Sequence, residues 1–395
     1  NEEIKYYYPT NDLVTAPEIL FFWVARMIMS GYEYEKELPF KNVYLTGIVR
    51  DKIGRKMSKS LGNSPDPLQL IEKYGADGVR VGMLLCSPAG NDLPFDENLC
   101  EQGRNFSNKI WNAFRLIKGW NVEEISQEQA SSDAIKWFEN KLNLTVSEIN
   151  QSFSKYRISE ALMSTYRLIW DDFCSIYLEI IKPDYQKPID KKTYNQTIIF
   201  LEDILKLLHP FMPFLTEEIW HLIDNRENDI IVASWPESNT FNKELISDFE
   251  RTMEVVSRIR NIRKEKNIAK KEAIELHIIE HEKPKNNHDS IILKLGNLST
   301  LNYGEKKIEQ AFSFMVKSNE YFVPLTDSFD KETELAKLNK DLDYTKGFLK
   351  IVESKLSNKK FVENAPKNLV ENEQNKLKDA KEKIRILTEK ITSLS

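Results

Sequence analysis

Between about Asn98 and Asp224 apolar residues recur at spacings of three and four. FSNKIWNAFRLI, WFENKLNLTVSEINQSF, ISEALMSTYRLIWDDFCSIYLEII and TIIFLEDILKLLHPFMPFLTEEIWHLI all follow this rhythm. It predicts a helix bundle. VASWPESN (Val232–Asn239) reads as a strand-like stub closing the bundle. A further helix is expected from Asp248 to about Ile268, with Arg258, Arg260, Arg263, Lys264 and Lys266 on a basic face. The alternating segments AIELHIIE, SIILKLGNLSTLNY and FSFMVKSNEYFVPL suggest a small α/β unit. In the tail, Leu335, Leu338, Leu342, Thr345, Leu349, Val352 and Leu356 alternate spacings of three and four. So do Leu377, Ala380, Ile384, Leu387, Ile391 and Leu394. Pro366 lies between the two stretches and blocks one continuous helix. An antiparallel coiled-coil hairpin is expected, with a parallel dimeric coiled coil as the alternative.

The first 97 residues are patterned differently. NVYLTGIV (Asn42–Val49) reads as a buried strand. PEILFFWVARMIMSG (Pro17–Gly31) starts at a proline, ends at a glycine and is apolar nearly all round. It predicts a helix packed inside an α/β layer. DPLQLIEKYGADGVRVGMLL (Asp66–Leu85) reads as two short helices hinged at Gly75. The fold class is therefore mainly α with an α/β part.

Composition narrows this only a little. With 395 residues, 41% of them hydrophobic, the chain has material for more than one core. Cys86, Cys100 and Cys174 are far apart and form no disulfide framework or thiolate metal site, which fits a reducing, cytoplasmic setting. No apolar run is long enough for a bilayer, so no membrane partner is expected. A net charge of −5 leaves any RNA contact to local basic faces. The five histidines show no ligand spacing, and no metal site is read from them.

GRKMSKSLGN (Gly54–Asn63) carries the candidate chemistry. Lysine is a compact charge suited to point contact with phosphate. Lys56 and Lys59 would offset charge developing on a leaving pyrophosphate, with Ser58 and Ser60 as hydroxyl donors. Gly54 and Gly62 would let the loop swing. An exposed basic turn is the plain alternative.

KMSKS at Lys56–Ser60 resembles the signature loop of the class I aminoacyl-tRNA synthetases. Its context, GRKMSKSLGN followed by DPLQLIEKYGADGVR, resembles the valyl, isoleucyl and leucyl subgroup. ILFFWVARMI (Ile19–Ile28) is similar to the valyl version. RNFSNKIWNAFRLI, HPFMPFLTEEIW and the terminal hairpin extend the resemblance over essentially the whole chain. The resemblance implies ATP with Mg2+, valine and the matching tRNA as ligands. It places Lys59 on the ATP phosphates with Lys56 assisting, Met57 and Gly47 near the nucleotide, Glu18 at the ribose, and Trp23 in the valine pocket. The chain departs from the family pattern at Ala16-Pro17-Glu18, often Gly-Phe-Asp, and at Thr46, usually histidine. No HIGH-type segment is present. The chain is therefore expected to be the carboxyl-terminal part of a longer enzyme, a monomer, able to bind tRNA but not to activate the amino acid alone. A sister enzyme of the subgroup and a non-catalytic tRNA-binding protein are the alternatives.

The expected division is 1–97, the second half of a Rossmann-type catalytic domain; 98–240, an anticodon-binding bundle; 241–328, an α/β connector; and 329–395, a tRNA-binding arm. Anticodon bases are read by stacking and edge hydrogen bonds. Arg104, Asn105 and Lys109 are the polar candidates on the first bundle helix, whereas Phe106, Ile110, Trp111 and Phe114 mostly read as core. Arg260, Arg263, Lys359 and Lys360 are candidate phosphate contacts.

Overall fold

The structure, a computed structural model, describes residues 2–86, 92–324, 331–357 and 367–394. Contacts divide the chain into two compact units. One comprises Asn1–Glu250 and Lys285–Leu295, the other Arg251–Pro284 and Gly296–Ser395.

The first unit opens with strand Thr10–Thr15 paired in parallel with Phe40–Leu45, Thr10 opposite Phe40 and Thr15 opposite Leu45. A helical crossover joins them, as parallel pairing requires. The crossover is not the single buried helix that its apolar run predicts. It is a 3₁₀ turn Pro17–Ile19, a π turn Leu20–Val24, an α-helix Ala25–Ser30 and a π turn Gly31–Glu35. Val24 is buried, but Phe21 and Phe22 are 81% and 71% exposed. The reason is geometric: a sheet of two strands covers only one stripe of a helix. The expected strand 42–49 is likewise split. Val49–Arg50 is a separate strand, parallel to Leu93–Pro94.

The hinge at Gly75 is present. Gly75 has φ +76° between helices Pro67–Tyr74 and Ala76–Leu85. Asp66 caps the first by accepting the Leu68 amide at 2.9 Å. Ala76–Leu85 then packs on Glu97–Lys118 with almost no gap. A Cβ on Gly103 would sit 2.4 Å from the Gly78 carbonyl oxygen, and one on Gly82 would sit 2.6 Å from the Cys100 nitrogen.

The bundle forms as its periodicity predicts. Its helices are Glu97–Lys118, Gln129–Ser154, Ile158–Arg167 continuing to Ile181, Lys191–Leu208 and Pro213–Ile223. Trp137, Phe138, Phe173, Tyr177 and Phe200 fill its core, with Trp137 stacked on Phe249 at 4.0 Å. Two-residue strands Val122–Glu123 and Ile189–Asp190 pair beside it. The strand expected over 232–239 is absent. A 3₁₀ turn Ile230–Val232 leads into irregular chain, because side chains of the Gln129–Ser154 helix take up its polar groups. Asn150 accepts the Trp235 indole N–H at 2.9 Å, and Asn143 accepts the Asn239 amide at 2.8 Å.

The second unit holds a four-stranded sheet in the order Leu298–Tyr303, Ile274–Ile279, Asn319–Pro324, Ala311–Val316. The first pair is parallel and the others antiparallel. The same unit contains helices Lys331–Ser357 and Lys367–Leu394, packed on one another. Lys355 pairs with Glu373 and Glu353 with Lys381, so the helices run in opposite directions within one chain. Leu342, Thr345, Val352, Ala380 and Leu387 are buried, as their heptad positions predict. Among the described residues no helix is long and apolar enough to cross a membrane.

The glycine contact yields a direct test. Gly103→Ala is expected to destabilise the fold by about 1–3 kcal/mol, because the atoms that its methyl meets are backbone and cannot rotate aside. Urea unfolding of wild type and variant measures it.

Candidate functional site

The carboxyl ends of parallel strands are where α/β folds place ligands. Here Thr15 leads into Ala16-Pro17-Glu18, Leu45 into Thr46-Gly47, and Arg50 into the lysine loop. Thr46 is tied to Thr15 by its amide, 2.9 Å from the Thr15 carbonyl.

Local polar groups set the loop's shape. The Asp51 carboxylate accepts from the Ile53 amide (3.1 Å), the Arg55 amide (2.9 Å), the Arg55 Nε (2.9 Å) and the Asn63 amide group (3.0 Å). These contacts, the Asn63 one foremost, hold its pKa down to about 2. Asn63 also accepts the Ser58 amide at 2.9 Å and donates to the Lys56 carbonyl at 3.3 Å. One side chain thus ties the first and third residues of KMSKS to Asp51. Gly54 (φ +82°) and Gly62 (φ +62°) occupy left-handed turn positions, which is what their lack of a Cβ permits.

Within this frame the four predicted polar residues part ways. Lys56 Nζ donates to both Glu18 oxygens, at 2.9 and 2.6 Å. Lys59 is exposed and has no ion pair among the described residues. Ser58 Oγ accepts the Leu61 amide and so caps the turn Lys59–Leu61; Ser60 Oγ lies 3.2 Å from it. Met57 is part-buried and lines an open cleft with Lys52, Gly62 and Asn63. Its amide donates to the Val49 carbonyl at 3.0 Å, and its side chain packs on the cluster of Leu70, Tyr74, Phe95 and Cys100. A thioether seeks apolar neighbours, and four of them lie beneath the loop. Gly47 lies half-exposed between the two strand ends.

The structure brings Glu18 and Lys56 together but keeps Trp23 apart from them. Trp23, 44% exposed, lines an open cleft of about 410 Å³ with Tyr8, Arg26, Met27 and Tyr34. That cleft includes neither Glu18 nor Lys56.

The candidate RNA contacts also separate. Asn105 is exposed. Arg104 is half-buried, 5.7 Å from the Tyr74 ring and paired with Glu101. Lys109 lies 5.3 Å from the Trp170 ring. Arg260 is exposed on helix Lys243–Glu265. Arg263 is not a surface cation. It is 7% exposed and donates five hydrogen bonds to the carbonyls of Ala269, Glu272, Gly296 and Asn297. The helix turns it inward, where its planar fork satisfies the buried Gly296 carbonyl and three part-buried or exposed neighbours. It is thereby withdrawn as an RNA contact. Lys359 and Lys360 lie outside the described residues.

Sequence reasoning missed three residues. Asp51 reads as turn punctuation, and its role needs Asn63 brought alongside. Asp77 is buried and accepts the Phe214 and Leu215 amides at 3.3 and 2.7 Å, capping helix Pro213–Ile223 from a distant segment. Arg80 donates to the Pro210 and Phe211 carbonyls. Both lie in GADGVR, and the available signal is a charge of each sign on an otherwise apolar helix.

Residues 1–96 match the family described as tRNA synthetases class I (I, L, M and V). Residues 135–278 match the anticodon-binding domain of tRNA ligase, and residues 330–395 the valyl tRNA synthetase tRNA binding arm. Full-length similarity decides among the subgroup. Valine–tRNA ligases of Christiangramia forsetii, Phocaeicola vulgatus and Parabacteroides distasonis are 58%, 56% and 55% identical over 100% of this chain. The chain belongs to the valine–tRNA ligase family. It spans 45% of the length of those three relatives. Within this family frame, the lysine loop and the bundle fall in separate matched regions, joined by the glycine-packed helices.

Two measurements follow. Asp51 binds its proton more weakly in the fold than in free chain, so its contribution is complete above about pH 4 and disappears as pH falls toward 2. Hydrogen exchange at the Ile53 and Arg55 amides should lose protection through that window, and Asp51→Ala, which removes the acceptor, should lose it at all pH values. Arg263→Ala should destabilise the second unit by about 3 kcal/mol, since it leaves the buried Gly296 carbonyl and its neighbours without their donor. Arg260→Ala should leave the unfolding midpoint unchanged.

Proposed function

We propose that this chain is part of an enzyme that joins valine to its tRNA in two steps. In the first, the valine carboxylate attacks the α-phosphorus of ATP. A carboxylate oxygen–phosphorus bond forms, the bond to the bridging oxygen breaks, and pyrophosphate leaves. No general base is needed, since the nucleophile is already an anion. In the second, a hydroxyl of the tRNA's terminal ribose attacks the activated carbonyl and expels AMP. Mg2+ enters with ATP, held mainly by phosphate oxygens.

The observation that carries the reading is the pairing of Lys56 with Glu18 at the strand ends. Both side chains are 53% exposed, and such a pair holds by only about 0.2–1 kcal/mol. A polyphosphate brings several negative charges and takes the ammonium readily. Release of Glu18 in the same event frees an acceptor for the ribose hydroxyls. Lys59, exposed on the same loop, joins the phosphates in this reading, where preorganised charge favours the transition state. Trp23 serves the valine side chain from its own cleft. Arg104, Asn105, Lys109 and Arg260 supply tRNA contacts, with Lys359 and Lys360 on the arm. The four-part division at 97, 240 and 328 accompanies this reading, as do a cytoplasmic setting and a monomeric state.

Valine-dependent ATP–pyrophosphate exchange by the full-length protein is the test. Lys59→Ala should lower kcat on the order of 10²–10³-fold, the usual scale for removing one transition-state donor. Glu18→Gln should chiefly raise the KM for ATP. This chain alone should show no exchange but should retain salt-sensitive binding of valine tRNA. Unchanged exchange in Lys59→Ala, or preference for isoleucine over valine, overturns the assignment.

A further inference from the structure

Beyond the two steps above, one cluster of side chains has the donor set and spacing of a cation site. Glu217 and His221 stand one turn apart on helix Pro213–Ile223, so their side chains share a face. Asp229 returns to that face from the loop after the helix. His221 Nε2 lies 3.1 Å from a Glu217 oxygen and 3.2 Å from an Asp229 oxygen, and all three atoms fall within 4.8 Å of one another. Among the described residues this is the one place where three such ligands converge.

His221 Nε2 hydrogen-bonds the Asp229 carboxylate and lies within ion-pair reach of Glu217. An imidazole Nε2 carries at most one proton, and here two carboxylate oxygens approach it at nearly equal distance. Nitrogen and oxygen ligands about 2.0–2.1 Å from Zn2+ in a tetrahedron lie about 3.3 Å apart, close to the two separations seen. The third ligand is held in place before any metal arrives. The Trp220 indole N–H donates to the carbonyl of Asn228 at 3.2 Å, and the Ile230 amide donates to Glu217 at 3.0 Å. The residues on both sides of Asp229 are thus pinned to the helix that carries the other two ligands. His221 is part-exposed and Asp229 largely so, which leaves room for water as a fourth ligand.

We propose that Glu217, His221 and Asp229 form a binding site for a divalent transition ion of the zinc class, clipping the loop 224–229 to the last bundle helix. The donor set of one imidazole and two carboxylates suits Zn2+ or Co2+ better than Mg2+, which prefers oxygen alone and keeps its waters.

Co2+ is titrated into metal-free, tag-free full-length protein while the visible d–d bands are followed, and Zn2+ then competes for the site. One equivalent should bind with tetrahedral-type bands that Zn2+ abolishes. His221→Ala and Asp229→Asn should each weaken binding at least tenfold, while Glu218→Gln, an exposed neighbour, should not. All three variants are at surface positions, and circular dichroism confirms that each remains folded. Absence of a saturable equivalent, or equal binding by wild type and both ligand variants, overturns the proposal. A His221 imidazole that titrates with pH but is unmoved by Zn2+ identifies a histidinium ion pair only, and does the same.

Discussion

Asp51 collects four N–H donors from both arms of a short loop, and that convergence gives the lysine-bearing segment its shape. Without it, Gly54 and Gly62 leave the backbone free to wander. With it, Asn63 is held where it can grip Ser58 and Lys56 together. Met57 adds an apolar foothold. The base of the loop is therefore tied by many bonds, while the side chains of Lys56 and Lys59 are tied by few.

This contrast in binding strength suits phosphate chemistry. The groups that define geometry are tied by several bonds each, those to the Asp51 carboxylate being charge-assisted. The groups that meet ligand are tied weakly or not at all. Lys56 has one exposed ion pair, and Lys59 has none among the described residues. A loop built the other way round, with a loose base and committed lysines, would spend binding energy on reorganisation rather than on charge stabilisation.

Much of this was legible in the sequence, for physical reasons that differ by region. Helix periodicity reads directly because burial enforces it, and the bundle and the paired tail helices follow it closely. Pro17–Gly31 is helical as read, but its exposure is that of a chain spanning 45% of its relatives' length, and composition does not report what stands opposite an apolar stretch. Arg263 misled in the reverse sense. Its charge and its place on a basic helix say surface, yet four carbonyls from two loops converge on it. Asp77, which caps a helix more than 130 residues away, shows the same limit. KMSKS was legible as a motif, while the division of labour within it was not. Only the fold shows Met57 rooted in the core and Ser58 spent as a cap.

The contact between Gly78 and Gly103 has a mechanical meaning. With backbone pressed on backbone, helix Ala76–Leu85 cannot slide or roll along Glu97–Lys118 without driving a side chain into the gap. The contact fixes the register of the two helices, which meet the residues that root the lysine loop at one end and run into the bundle at the other.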